Sequence, residues 1–227
     1  MDDQPSPSTD RAARSAIGLS AALGIGAAVV VVAVVAAVVL HLVGDDSPHE
    51  LLVVGDSVTY LSGGALDQRY ERDRLQYVAV PGARSGEVLP LVKQAMDGDR
   101  AGSAKDRATV LVGYNDVFHD DVETHDLVEL MDTMDEFRCV VWFTLPSRPG
   151  GKPDSSPLIP SAKVDRWNQR IEELAKDHDH IHVAHDWADL VTEGSRATLL
   201  SKDGIHPSKA GSRRLADAMV SALERDC

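Results

Sequence analysis

From residue 51 onward, short apolar runs alternate with amphipathic stretches, and most of the runs stop at a chain breaker. LLVV (Leu51–Val54) is followed by Gly55, LQYVAV (Leu75–Val80) by Pro81 and Gly82, ATVLV (Ala108–Val112) by Gly113, and CVVWFTL (Cys139–Leu145) by Pro146; IHVA (Ile181–Ala184) is a weaker fifth run. Runs of this length without a polar partner residue are the pattern of strands covered on both faces. Between them, Val88, Leu91, Val92 and Ala95 share one helical face, as do Leu127, Leu130, Met131 and Met134, and then Val164, Trp167, Ile171, Leu174 and Ala175. A last helix follows Pro207, the residue expected to open it, with Ala210, Leu215, Ala218, Met219 and Leu223 as core positions. Strands alternating with helices predict a three-layer α/β/α domain around a five-stranded parallel sheet. No internal repeat is present.

In an open parallel sheet, ligands lie outside the carboxyl ends of the strands. Gly55-Asp56-Ser57 follows the first predicted strand, Gly82 the second and Asn115 the third, while Asp203 and His206 lie between the fifth strand and the last helix. All of these positions fall at one edge. A serine hydroxyl needs an imidazole to take its proton, and the imidazole needs an acid to fix its tautomer. Asp203 and His206, three apart in DGIHP, are close enough for the carboxylate to reach the ring. Ser57 starts a helix after a tight turn, so its backbone N–H is unpaired. Gly82 offers a second N–H and Asn115 a side-chain amide, and donors of this kind stabilise an oxyanion.

With these residues in view, the chain resembles the SGNH/GDSL hydrolase family over nearly all of residues 50–225. GDSVT (Gly55–Thr59) resembles the first family block, with Val58 where leucine is common; Gly82 in VPGARSG resembles the second; GYND (Gly113–Asp116) matches the third; DGIH (Asp203–His206) matches the fourth. The resemblance implies a flavodoxin-like three-layer fold with five parallel strands and ester hydrolysis through an acyl-serine. Ser57, Asp203 and His206 would be the catalytic triad, and Ser57, Gly82 and Asn115 the oxyanion hole. It implies no cofactor. Asp186-Trp187 ahead of DGIHPSKAG is also similar to SGNH domains fused to bacterial membrane acyltransferases, which act on acylated cell-surface polymers; no acyltransferase membrane domain accompanies it here.

Ala16 to Leu40 carries no charge, and a spanning helix needs about 20 residues. Arg11 and Arg14 precede this segment and the next Lys or Arg is Arg69, which sets the N-terminus on the cytoplasmic side. The expected organisation is a cytoplasmic tail at 1–15, a transmembrane helix at 16–43, a linker at 44–50 and the hydrolase domain at 51–227, held outside the cell membrane. A cleaved signal peptide would place the domain on the same side, but its apolar core is shorter. Cys139 and Cys227, the only cysteines, either pair in that oxidising setting or remain separate thiols.

The formal charge of −13 excludes a nucleic-acid partner, which requires clustered Lys and Arg. Expected partners are the membrane, through 16–43, and a small ester or acylated envelope substrate. His178, His180, His182 and His185 cluster in HDHIHVAH, and alternation could put the first three on one strand face as a metal site needs, but three of the four fall at the ends of a short strand, which argues against one. Asp97–Gly102 lacks the closing acid of a calcium loop. Asp56 reads as a helix cap, Asp116 as a loop-ordering residue, and Arg84 and Ser85 as solvated residues near the mouth. The Pro- and Gly-rich tract Ser147–Leu158 is expected at the surface. Two other functions remain open: acyl transfer to an envelope sugar or glycolipid, and a non-catalytic surface module.

Overall fold

The computed structural model describes residues 51–70, 75–98, 107–119, 125–147, 159–194 and 196–227. The tail, the apolar segment 16–43, the linker, residues 148–158 of the Pro-rich tract and residues 99–102 of the rejected calcium loop lie outside the described residues. Among the described residues, no helix is long and apolar enough to cross a membrane.

Five strands form one parallel sheet: β1 (Leu51–Gly55), β2 (Leu75–Ala79), β3 (Arg107–Leu111), β4 (Cys139–Phe143) and β5 (Ile181–Ala184), in the order β2-β1-β3-β4-β5. β1 and β4 are buried along their whole length. That is why they read as unbroken apolar runs rather than as alternation. The order reverses at β1, which has β2 on one side and β3 on the other. A crevice therefore opens at the carboxyl end of β1.

The helices are α1 (Ser57–Leu66), α2 (Ser85–Gly98), α3 (Tyr114–Phe118), α4 (His125–Met134), α5 (Ser161–Ala175), α6 (Asp186–Glu193), α7 (Arg196–Leu199) and α8 (Lys209–Asp226). α8 packs against α1, α6 and α7 on one side, and α4 packs against α2 and α5 on the other. Most predicted core positions are buried: Leu127, Leu130, Met131 and Met134 of α4 and Val164, Trp167 and Ile171 of α5 are fully enclosed, whereas Leu91, Leu174, Ala175 and Ala210 are only half-buried, at the edges of their helical faces.

The last helix departs from expectation at its start. Pro207 is not its first residue; it lies before the helix, buried, in an antiparallel bridge with Leu200. Ser208 is the N-cap, and its hydroxyl accepts from the Gly211 N–H. A serine oxygen satisfies one of the orphan donors of the first turn, which proline cannot do. The proline instead fixes the strand-like entry into the cap. Cys139, at the start of β4, is joined by a disulfide to Cys227, at the end of α8.

Candidate active site

β1 ends at Gly55, where the chain turns sharply into α1. A side chain at Gly55 would run into Thr59, whose hydroxyl donates to the Leu111 carbonyl at 3.1 Å. Glycine thus lets α1 start close against β3. Asp56 is the N-cap of α1, its Oδ1 accepting from the Val58 N–H at 3.0 Å. Ser57 is consequently the first helical residue, half-buried at the crevice.

The partner arrives from 149 residues away. His206 Nε2 lies 2.9 Å from Ser57 Oγ, and His206 Nδ1 lies 2.8 Å from Asp203 Oδ2. The Asp203–His206 loop is built by the aspartate itself. Its Oδ1 accepts from the Ile205 N–H at 2.9 Å and the His206 N–H at 3.0 Å, a local turn of the type aspartate favours. Gly204, at φ +71°, supplies the left-handed residue within it. The loop is closed by the Ser201 N–H donating to the His206 carbonyl at 2.7 Å. One oxygen of Asp203 therefore shapes the loop and the other orients the ring. Partial burial raises the Asp203 carboxyl pKa, but the His206 ring and the Ile205 and His206 N–H groups together outweigh this and hold it below the usual carboxylate range. The carboxylate is thus ionised at neutral pH, as a partner for an imidazolium must be.

Gly82 sits on the loop after β2 and Asn115 in α3, just after β3; these are the two strands that flank β1. Gly82 has φ +80° and open space where a side chain would be. No other group among the described residues takes the N–H of Gly82 or Ser57. Asn115 Nδ2 donates to the Ala83 carbonyl at 3.1 Å, which ties α3 to the loop carrying Gly82 and leaves its second amide hydrogen available.

A second tie was not legible as such. Ser85, expected in solvent, is completely buried. Its hydroxyl donates to Asp116 Oδ1 at 2.5 Å and its N–H donates to the same carboxylate at 3.1 Å. The apolar cover that makes solvation impossible is supplied by tertiary packing, and no local pattern around ARSG announces it. Arg84 is on the surface beside Glu87. Asp116 does order its loop, as expected. Asp56 also caps α1 as expected, but it is entirely buried with Oδ2 unpartnered. Burial raises its carboxyl to about 7, against the pull of the Val58 and Tyr114 N–H groups; the neighbouring Asp116 charge adds to the rise.

The four histidines of HDHIHVAH do not converge. His178 faces Asp132 and Asp135 at 3.5 Å, while His185 lies 3.1 Å from the Thr144 hydroxyl. Among the described residues, no group of three or more His, Cys, Asp or Glu is placed to hold a metal ion.

No curated protein matches the sequence. Solved structures do match in fold. A GDSL-like lipase from Bacteroides thetaiotaomicron has TM-score 0.58 at 17% identity, over 77% of this chain and 87% of that one. The C-terminal catalytic domain of a peptidoglycan O-acetyltransferase from Streptococcus pneumoniae has TM-score 0.58 at 16% identity, over 78% and 93%. A variant of an acetyl xylan esterase from Geobacillus stearothermophilus has TM-score 0.53 at 18% identity, over 80% and 97%. The model of the GDSL-like lipase/acylhydrolase family matches residues 53–214, most of the chain and all of the site. With four motif blocks in order on a five-stranded parallel sheet, the chain belongs to the GDSL-like lipase/acylhydrolase family.

Proposed function

We propose that the protein is an extracytoplasmic serine esterase that hydrolyses carboxylic esters through an acyl-serine. The observation that carries this reading is the Ser57 Oγ to His206 Nε2 contact at 2.9 Å, with Asp203 at 2.8 Å on the other ring nitrogen. Ser57 Oγ attacks the ester carbonyl as His206 Nε2 takes its proton. Asp203 keeps the Nδ1–H tautomer and stabilises the imidazolium. The negative oxygen of the tetrahedral intermediate is received by the Ser57 and Gly82 N–H groups and the Asn115 amide. Each such donor is worth about 10²–10³ in rate. Collapse breaks the bond to the alcohol oxygen, which leaves with the proton from His206. Water then repeats the sequence and frees the acid.

Placement outside the membrane is supported by the uncharged segment behind Arg11 and Arg14 and by the Cys139–Cys227 bridge, since disulfides persist in oxidising compartments. The same triad would transfer the acyl group if a sugar hydroxyl replaced water. Hydrolysis is favoured by the openness of the site: the His206 and Asp203 side chains are 34% and 44% exposed, so water reaches them freely. Product analysis with and without added sugar acceptor separates the two.

A fluorophosphonate probe tests the reading directly. Wild-type protein is expected to be labelled at Ser57, while Ser57→Ala is unlabelled and loses at least about 10³ in kcat. Folded wild-type protein that takes no label would point instead to a non-catalytic surface module.

A further inference from the structure

Large apolar side chains that stand in water are informative by where they gather. Among the described residues the exposed large hydrophobics are Tyr60, Leu61 and Phe118, at 54%, 52% and 56% exposure, and each is within about one helical turn of a reacting group. Tyr60 and Leu61 follow Ser57 by three and four residues on α1, so the three share a face. The opposite face, with Val58, Thr59 and Ser62, is buried. Helical side chains lean toward the N-terminus of their helix. Tyr60 and Leu61 therefore cover the turn that begins at Ser57. The Leu61 carbonyl accepts from the Ser212 hydroxyl of α8 at 3.4 Å, which puts this pair in the helical layer entered through His206.

Phe118 follows Asn115 by three residues on α3 and leans back over it by the same rule. Its ring meets His119 edge-on, centroids 5.2 Å apart. α3 packs against α5, in the other helical layer. The apolar side chains thus approach the crevice at β1 from both faces of the sheet.

We propose that Tyr60 with Leu61, and Phe118, are two apolar walls flanking the ester carbonyl, and that the substrate is an uncharged ester with a hydrocarbon acyl chain rather than an acetylated polyhydroxy polymer. This rests on the serine-esterase reading and names its substrate class. A chain of about four carbons spans the one turn of about 5.4 Å between Ser57 and the Tyr60–Leu61 pair. The formal charge of −13 gives an anionic headgroup no general attraction to this surface. A polyhydroxy chain would leave its hydroxyls against apolar walls without partners.

The test is a p-nitrophenyl ester series, acetate to hexanoate, on the full chain. Each methylene removed from water is worth a factor of about four. kcat/KM is therefore expected to rise at least about tenfold from acetate to hexanoate, allowing for partial burial. Leu61→Ser and Phe118→Ser, both at exposed positions, are each expected to lower the hexanoate-to-acetate ratio about fourfold. Tyr60→Ser serves as a third variant if either fails to fold. A flat or acetate-preferring series overturns the proposal, as does an unchanged ratio in the variants. Fluorophosphonate labelling run alongside separates the two failures: labelled Ser57 with a flat series removes the apolar walls and leaves the esterase, whereas absence of label removes both.

Discussion

Asp56 and Asp203 show what position does to one side-chain type. Asp203 divides its oxygens between backbone N–H groups and an imidazole, and is held ionised. Asp56, one residue before the nucleophile, is fully buried and has one unpartnered oxygen. Its carboxyl rises from 3.8 to about 7. The sign of the consequence is fixed by linkage. Between those two values the folded protein holds a proton that the unfolded chain has released, so stability falls as pH rises through that window and is lowest above it. The loss is on the order of a few kcal/mol for a group shifted this far. Urea unfolding of wild type is expected to show this decline from pH 4 to pH 8, and Asp56→Asn to abolish its slope. An unchanged slope in the variant would assign the titration elsewhere. The sequence told of the cap but not of the burial. GDS announces a turn into a helix, whereas the Tyr114 N–H and the Asp116 charge that act on Asp56 come from the segment after β3, brought beside it by strand order.

Among the elements, the strands were legible because β1 and β4 are buried on both faces and so carry no polar alternation. α6 and α7 were not foreseen. α6 buries Trp187, Ala188 and Val191 over eight residues, too short a window for a helical period to stand out, and α7 has four residues with none of them buried. Ser57, Gly82 and Asn115 were readable because each closely follows a strand, where local motif and topology coincide; Asp203 and His206 lie beyond α7 and were readable from the DGIH spacing alone. The ties between loops were not, because each joins residues more than thirty apart. The Ser85–Asp116 pair is the most consequential. It fixes the loop carrying Gly82 to the helix carrying Asn115, so these two proposed oxyanion donors move as one unit. Asp116→Ala leaves the Ser85 N–H and hydroxyl buried without their acceptor. Stability is expected to drop by about 2–4 kcal/mol. kcat is expected to fall about tenfold or more with KM little changed, the signature of a contact made in the transition state. Asp116→Asn, which retains one acceptor oxygen, should recover part of both. A loss confined to stability would make the pair purely structural.

At the scale of the whole molecule, the disulfide and the triad divide the chain in the same place. Cys139 opens β4 and Cys227 ends α8, 88 residues later. The loop they close contains Asp203 and His206 but not Ser57. Folding must therefore hold the segment from β4 to α8, which carries His206, the proposed base, against β1 and α1, which carry Ser57, the proposed nucleophile, and the bridge restricts that segment in the unfolded state. The chain-entropy argument gives about 4–5 kcal/mol for a loop of this size, with measured values more often 2–4. The double variant Cys139→Ser/Cys227→Ser should lose about 2–4 kcal/mol in urea unfolding. The bridge lies at the amino end of β4, across the sheet from the crevice, so kcat at low temperature should be preserved. On heating, the same reasoning orders the events. The segment with His206 is the part released when the bridge is gone, so esterase activity should decay at a lower temperature than the far-UV circular dichroism of the domain. In wild type the two transitions should coincide. Coincident transitions in the double variant would mean that packing of α8 on α1 and β4, not the covalent closure, keeps base and nucleophile together.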